Sequence, residues 1–232
     1  MTARSNGSEL APYAVFIVTS LVIVTAATIQ TVLRPELYEP YFMDVPPAFA
    51  IAVIGIVGWI ALWFLDRRGV FRLRHVSRGC GVAAAVGLGL PFMISATVAD
   101  LIGRFPETLN VPLPAALLFY PVMGYVVELL FHAIPLSLLL PATALLLRSW
   151  PAERRTGLCI AFAAVLEPTF QVLRSTSDTP LTVFMLIQVF VFGCVELWLF
   201  RRYGFIAMYV VRLTYYGYWH VLWGHLRLLW LF

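Results

Sequence analysis

The sequence predicts an all-α protein: a polytopic membrane helical bundle of seven to eight transmembrane helices, in a single domain covering 1–232. Two observations lead there. Hydrophobic residues make up 61% of the chain against 12% charged, with a mean hydropathy of +0.88, more apolar character than a soluble domain of this size needs for its core. The apolar residues also come in runs of about 20, the length that carries a helix across about 30 Å of hydrocarbon. They do not alternate with polar residues as barrel strands would, and no fixed-period repeat or low-complexity linker divides the chain.

Pro, Gly and Arg punctuate these runs into spans near residues 12–33, 47–65, 80–101, 112–147, 156–173, 181–200 and 204–226. The first follows a single basic residue, Arg4, and ends without a small-residue cleavage site, so it is expected to stay as a helix and not to leave as a signal peptide. The third carries Gly81, Ala85 and Gly89 at i, i+4 and i+8, a small-residue stripe that lets another helix approach closely, within the chain or between copies. The fourth, at about 36 residues, would be about 54 Å long if straight, too long for one crossing. Pro121, Pro135 and Pro141 offer breaks. The expectation is a spanning helix carrying Glu128, a bend near Pro135 and a shorter helix at the interface.

Arginines set the orientation. Arg67, Arg68, Arg72, Arg74 and Arg78 share one loop, Arg148, Arg154 and Arg155 another, and Arg201 and Arg202 a third. These alternate with "RPELYEPYFMDVPP", "DLIGRFPETLNVP" and "RSTSDTP", where acidic residues accompany one Arg each. The positive-inside rule then puts the Arg-rich loops and the N-terminus in the cytoplasm. Seven crossings leave Phe232 outside; a re-entrant fourth segment would make eight and bring it in.

All 16 basic residues of the Lys and Arg class are Arg. Without a lysine amine for a Schiff base, a seven-helix retinal protein is excluded; the Arg usage is read as the mark of a GC-rich genome. Cys80, Cys159 and Cys194 lie far apart without CxxC spacing and are expected to be small buried apolar residues.

Seven ionisable groups fall at or near membrane depth: Glu128, His132, Glu167, Glu196, Arg212, His220 and His225. A charge there costs at least a few kcal/mol, about 2.5–3.5 on insertion scales, and must be paired, neutralised or set in a polar cavity. In "VVELLFHAIPL", Glu128 and His132 stand four apart on one helix face, able to share a metal ion or a water, or to form a structural carboxylate-imidazole pair. Glu167 precedes Pro168, which opens the helix locally, and Gln171 follows one turn on. Arg212, Tyr216 and His220 line one face of the last span. Arg212 lies too deep to snorkel, so Glu128 or Glu167 is its natural partner. Glu196, about a turn and a half from Arg201 and Arg202, is expected to be an interfacial salt-bridge residue. His225 and Arg227 are read as interfacial, Trp219, Trp223 and Trp230 as an aromatic belt, and His75 as solvated.

Two stretches together carry a resemblance. "VELLFH" is similar to the EExxxR signature of the CAAX-prenyl-protease and bacteriocin-processing intramembrane family, and "FVFGCVELWLFRRYGFIAMYVVRLTYY" resembles that family's closing stretch, which ends in HxxxN. The resemblance covers roughly residues 110–220. Val127 stands at the first Glu, Glu128 keeps the second and His132 occupies the Arg position. Phe162 supplies the Phe of the middle FxxxH motif, with Leu166 and then Glu167 where its His falls. Arg212 takes the place of the last His, and Tyr216 that of the Asn. The resemblance implies an integral protein of the bacterial inner membrane whose glutamates, with histidines and a metal ion, activate water for peptide cleavage. On that reading Glu128, His132, Glu167 and Arg212 carry catalysis, and Glu128, His132 and His220 hold a divalent metal such as zinc.

The alternative is a non-catalytic membrane subunit of the same fold, in which Glu128 and Arg212 form a structural ion pair and the polar core binds a pigment, haem or lipid headgroup, or the surface a protein partner. A proton-coupled transporter expects paired discontinuous helices in two halves, of which one is visible here. The expected partners are the lipid bilayer and a membrane protein or peptide, with no nucleic acid.

Overall fold

The computed structural model describes residues 7–42, 44–73, 78–174 and 179–232. Arg4, Arg74, His75 and residues 175–178 of the third acidic loop lie outside the described residues, as do the side chains of Arg78 and Cys80. Every regular element among the described residues is helical. The long helices are α1 (Gly7–Leu33), α2 (Pro47–Arg67), α3 (Arg78–Gly103), α4 (Ala116–Leu146), α5 (Ala152–Leu173), α6 (Thr179–Tyr203) and α7 (residues 205–230).

Helices α1 to α6 are long and apolar enough to cross a membrane. Helix α7 is continuous in helical geometry but carries Arg212, His220, His225 and Arg227, and it is not among those six. Length and apolar composition therefore support six spans, where the sequence led us to expect seven to eight. The distribution of side chains fits a lipid solvent. Leu173 (81% exposed) and Ile102 (82%) face outward, while Glu128, Glu196, Asp100 and Arg227 are fully buried.

The fourth segment departs from expectation. It does not turn aside at Pro135; it runs 31 residues from Ala116 to Leu146, passing through a π-helical turn at Glu128–Ala133. The wider turn shifts the hydrogen-bond register by one, so that Ile134 donates to Leu129. Pro135, which has no N–H, then falls at the junction where α-helical pairing restarts. At about 46 Å the helix exceeds the hydrocarbon thickness, a mismatch that tilt accommodates. Helix α7 carries a second π segment, Gly217–Trp223.

Helix α4 packs against α1, α2, α5 and α7, and α7 against α3, α4 and α6, so the two interrupted helices meet at the centre of the bundle. The small-residue stripe of α3 is used within the chain. Gly81 faces Tyr203, Ala85 is buried with Phe192, Leu199 and Val211, and Gly89 faces Val211. Cys159 is buried and Cys194 partly so, both free, as small apolar residues would be.

The connections fall into two groups. At one end Phe205 N–H donates to Arg72 C=O at 3.1 Å and Arg201 holds Glu153 at 2.8 Å, joining the three Arg-rich connections; Gly204, at φ 96°, makes the turn between α6 and α7. At the other end Arg174 donates to Pro40 C=O, and Gln30 donates to Ala115 C=O at 2.9 Å.

Candidate functional site

Four helices deliver one polar cluster to the centre of the bundle. Arg212 of α7 donates through Nε to Glu128 Oε1 of α4 at 2.9 Å, and through Nη1 and Nη2 to both oxygens of Glu167 of α5 at 2.8 Å each. Nη2 also reaches Glu196 Oε2 of α6 at 2.6 Å. Glu128 Oε2 takes His132 Nδ1 at 2.7 Å, and Gln171 Nε2 donates to Glu167 Oε1 at 2.9 Å. All five ionisable side chains are 0–2% exposed. At that depth each charge is tolerable only because it is paired and hydrogen-bonded, and the planar guanidinium suits the task since its donors diverge toward three carboxylates at once.

The charges do not balance. Three carboxylates face one guanidinium and one imidazole, leaving an excess negative charge unless the cluster holds a proton or a cation. Two buried atoms are without a hydrogen-bond partner among the described residues, His132 Nε2 and Glu196 Oε1. Gly193 of α6 faces the first: a Cβ there would lie 3.4 Å from His132 Nε2.

Glu128, His132, Glu167 and Arg212, the expected catalytic set, thus come together. The expected metal set does not. Glu128, His132 and Glu196 offer ligand atoms within 4.8 Å of one another and could hold a metal ion, whereas His220 is not part of that group. Within it both Glu128 oxygens are engaged, one by Arg212 and one by His132, and the Arg212 guanidinium already supplies positive charge where a metal would.

Several interfacial assignments are corrected. Glu196 is fully buried on Arg212 and does not pair with Arg201 or Arg202, because five residues at 100° each turn Arg201 about 140° around the helix from it. Arg227 is fully buried too. Its Nε and Nη2 hold the two oxygens of Asp100 at 2.7 and 3.0 Å, and its remaining donors go to Pro106 C=O, Phe105 C=O and Asn110 Oδ1. Trp223 Nε1 donates to Asp100 at 2.8 Å; Trp219 and Trp223 are 4% and 8% exposed, so of the expected belt Trp230 alone, at 68%, is outward. His225 is exposed, and so are Phe162 and Leu166 of the presumed middle motif. Sequence reading missed Asp100 and Asn110; the signal for Asp100 was a carboxylate inside the apolar run "TVADLIG", needing a cation that Arg227 provides.

A cavity of about 760 Å³ opens among α4, α5, α6, α7 and the loops at the end away from the Arg-rich connections. Its wall is aromatic and aliphatic, with Phe119, Tyr120, Phe184, Phe192, Tyr215 and Trp219 prominent. Its polar lining includes Glu167, Gln171, Gln188, Arg212, Tyr216 and His220. Glu128, His132 and Glu196 do not line it; Arg212 and Glu167 stand between them and the space. At the mouth, burial pushes the Tyr41 hydroxyl above its ordinary value, partly offset by Arg174.

Comparisons with models of protein families, with curated proteins and with solved structures gave no match to this chain.

Proposed function

We propose that this chain is a non-catalytic multi-pass membrane protein that holds an apolar small molecule with a polar head in its central cavity. The observation that carries this reading is the cavity itself. A space of about 760 Å³ with an aromatic wall and a few polar groups suits a lipid-like ligand, within the roughly 300–1,000 Å³ range of small-molecule sites. Helix α7 belongs to the membrane part as a seventh crossing, its two buried arginines neutralised by Glu128, Glu167, Glu196 and Asp100. That count keeps the Arg-rich loops and the N-terminus in the cytoplasm and opens the cavity toward the opposite side.

A metal-dependent hydrolase related to the CAAX-protease family is the second reading, favoured by the converging donors of Glu128, His132 and Glu196. Two features weigh against it: these residues do not line the cavity a substrate would enter, and Arg212 stands where the family pattern has a metal-binding His.

The test is organic extraction of the purified full chain beside a Met123→Trp, Met185→Trp variant, which puts two indoles into the cavity. We expect one lipid-like species to copurify with the wild type at near-stoichiometric yield and to be depleted from the variant. Equal recovery from both would refute cavity binding.

A further inference from the structure

Resting on the cavity-ligand reading, we propose that His220 is the polar anchor of that cavity, donating its Nε2–H to a neutral acceptor oxygen, a carbonyl or ester, on the head of the bound ligand. The argument starts from Arg227, which can only donate hydrogen bonds. It is locked by Asp100, and its Nη1 donates to Asn110 Oδ1 at 3.2 Å. The oxygen of the Asn110 amide therefore faces Arg227, and its nitrogen is turned toward α7. There Nδ2 donates to His220 C=O at 3.4 Å and lies 3.2 Å from His220 Nδ1. An amide nitrogen has protons and no usable lone pair, so Nδ1 must be the acceptor. The neutral imidazole then carries its proton on Nε2.

The surroundings hold the ring in place. Tyr120 stacks on the imidazole at 4.4 Å and 15°, and Tyr216 meets it edge-on at 4.9 Å. Gly224, one turn along α7, lets the amide approach, for a Cβ there would lie 2.7 Å from Asn110 Nδ2. His220 lines the cavity, and its Nε2 makes no hydrogen bond among the described residues. Nor is it one of the sealed unpartnered atoms, which are His132 Nε2 and Glu196 Oε1, so its N–H opens to the cavity.

The same tautomer sets His220 against the metal-ligand role. A metal or haem iron needs the Nε2 lone pair, which would move the proton to Nδ1 and place two donors face to face across 3.2 Å. It also sets the head chemistry. The Arg212 donors are spent on Glu128, Glu167, Glu196 and Tyr216, and the other arginine lining the cavity, Arg174, stands at the mouth on Pro40 C=O. Beside His220 there is thus no open cation for an anionic head, whereas the imidazole presents an uncommitted donor to an oxygen.

The experiment uses the full chain in detergent and two photoreactive probes, a long-chain methyl ketone bearing a diazirine and the matching alkane. We expect the ketone to label peptides carrying cavity residues about fivefold more than the alkane, the factor one neutral hydrogen bond supplies. In His220→Phe, which keeps the stacked ring, ketone labelling should fall to the alkane level with the alkane unchanged. Equal labelling by both probes in the wild type overturns the anchor while leaving the cavity reading standing. No labelling of those peptides by either probe overturns both. Independently of any effect of the substitution on folding, the ¹⁵N spectrum of histidine-labelled wild type should show His220 protonated on Nε2 and bare on Nδ1; the opposite tautomer refutes the proposal.

Discussion

Arg212 and Glu167 face each other as a fork, with two parallel hydrogen bonds of 2.8 Å between α7 and α5, while the Arg212 Nε holds Glu128 on α4 at 2.9 Å. One guanidinium thereby ties together helices that hydrophobic packing in lipid would leave weakly specified, since lipid tails are as apolar as the helix faces. The buried fork has a direct consequence for stability.

Replacing Arg212 by Met leaves three carboxylates buried without their cation, and we expect a loss of about 3–5 kcal/mol, read as a large fall in the detergent melting temperature. Arg212→Lys should recover only part of it, because an ammonium is a point donor and cannot form the fork with Glu167 while reaching Glu128 and Glu196. Full recovery by Lys would show that charge alone matters.

The carboxylates should not be equal. Glu167→Gln breaks the fork and should cost about 2–4 kcal/mol. Glu196→Gln keeps an oxygen for Arg212 and leaves the fork with Glu167 intact, so it should cost under about 1 kcal/mol or stabilise. Thermal melts of the two variants side by side check the order.

Asp100 and Arg227 form a second, separate pair, and single removals should each be costly, about 3 kcal/mol or more. The double variant Asp100→Asn, Arg227→Met should be milder than the sum of the two, because neither charge is then left alone. A double-mutant cycle on melting temperatures measures the coupling, and strict additivity would contradict the pairing.

Gly224→Ala puts a methyl 2.7 Å from Asn110 Nδ2 and should displace that amide, at about 1–3 kcal/mol. Hydrogen exchange should report faster opening of the loop around Asn110, with the Arg212 cluster unaffected. Unchanged exchange there would place the amide elsewhere.

The helical membrane class was legible in the sequence because it rests on run length and composition, and so were two of the three carboxylate partners of Arg212, Glu128 and Glu167, since an arginine this deep requires a carboxylate. Glu196 was misplaced because linear distance from Arg201 was read without the helical angle between them. Arg227 looked interfacial by position near the end of the chain, and its partner Asp100 is 127 residues away, a pairing that no local pattern encodes. Pro135 suggested a bend, but the π turn before it absorbs the missing donor, and π turns leave no signature in hydropathy. The tautomer of His220 depends on a relay through three residues from separate segments and could be read only from geometry.

The most direct test of the central claim is native mass spectrometry of the full chain released from detergent, which reads organic and metal adducts in one spectrum. The account predicts a near-stoichiometric organic adduct of lipid-like mass, absent from the Met123→Trp, Met185→Trp variant, and no divalent ion. A stoichiometric divalent metal lost on Glu128→Gln, with no organic adduct, would contradict it and return the cluster to hydrolytic chemistry.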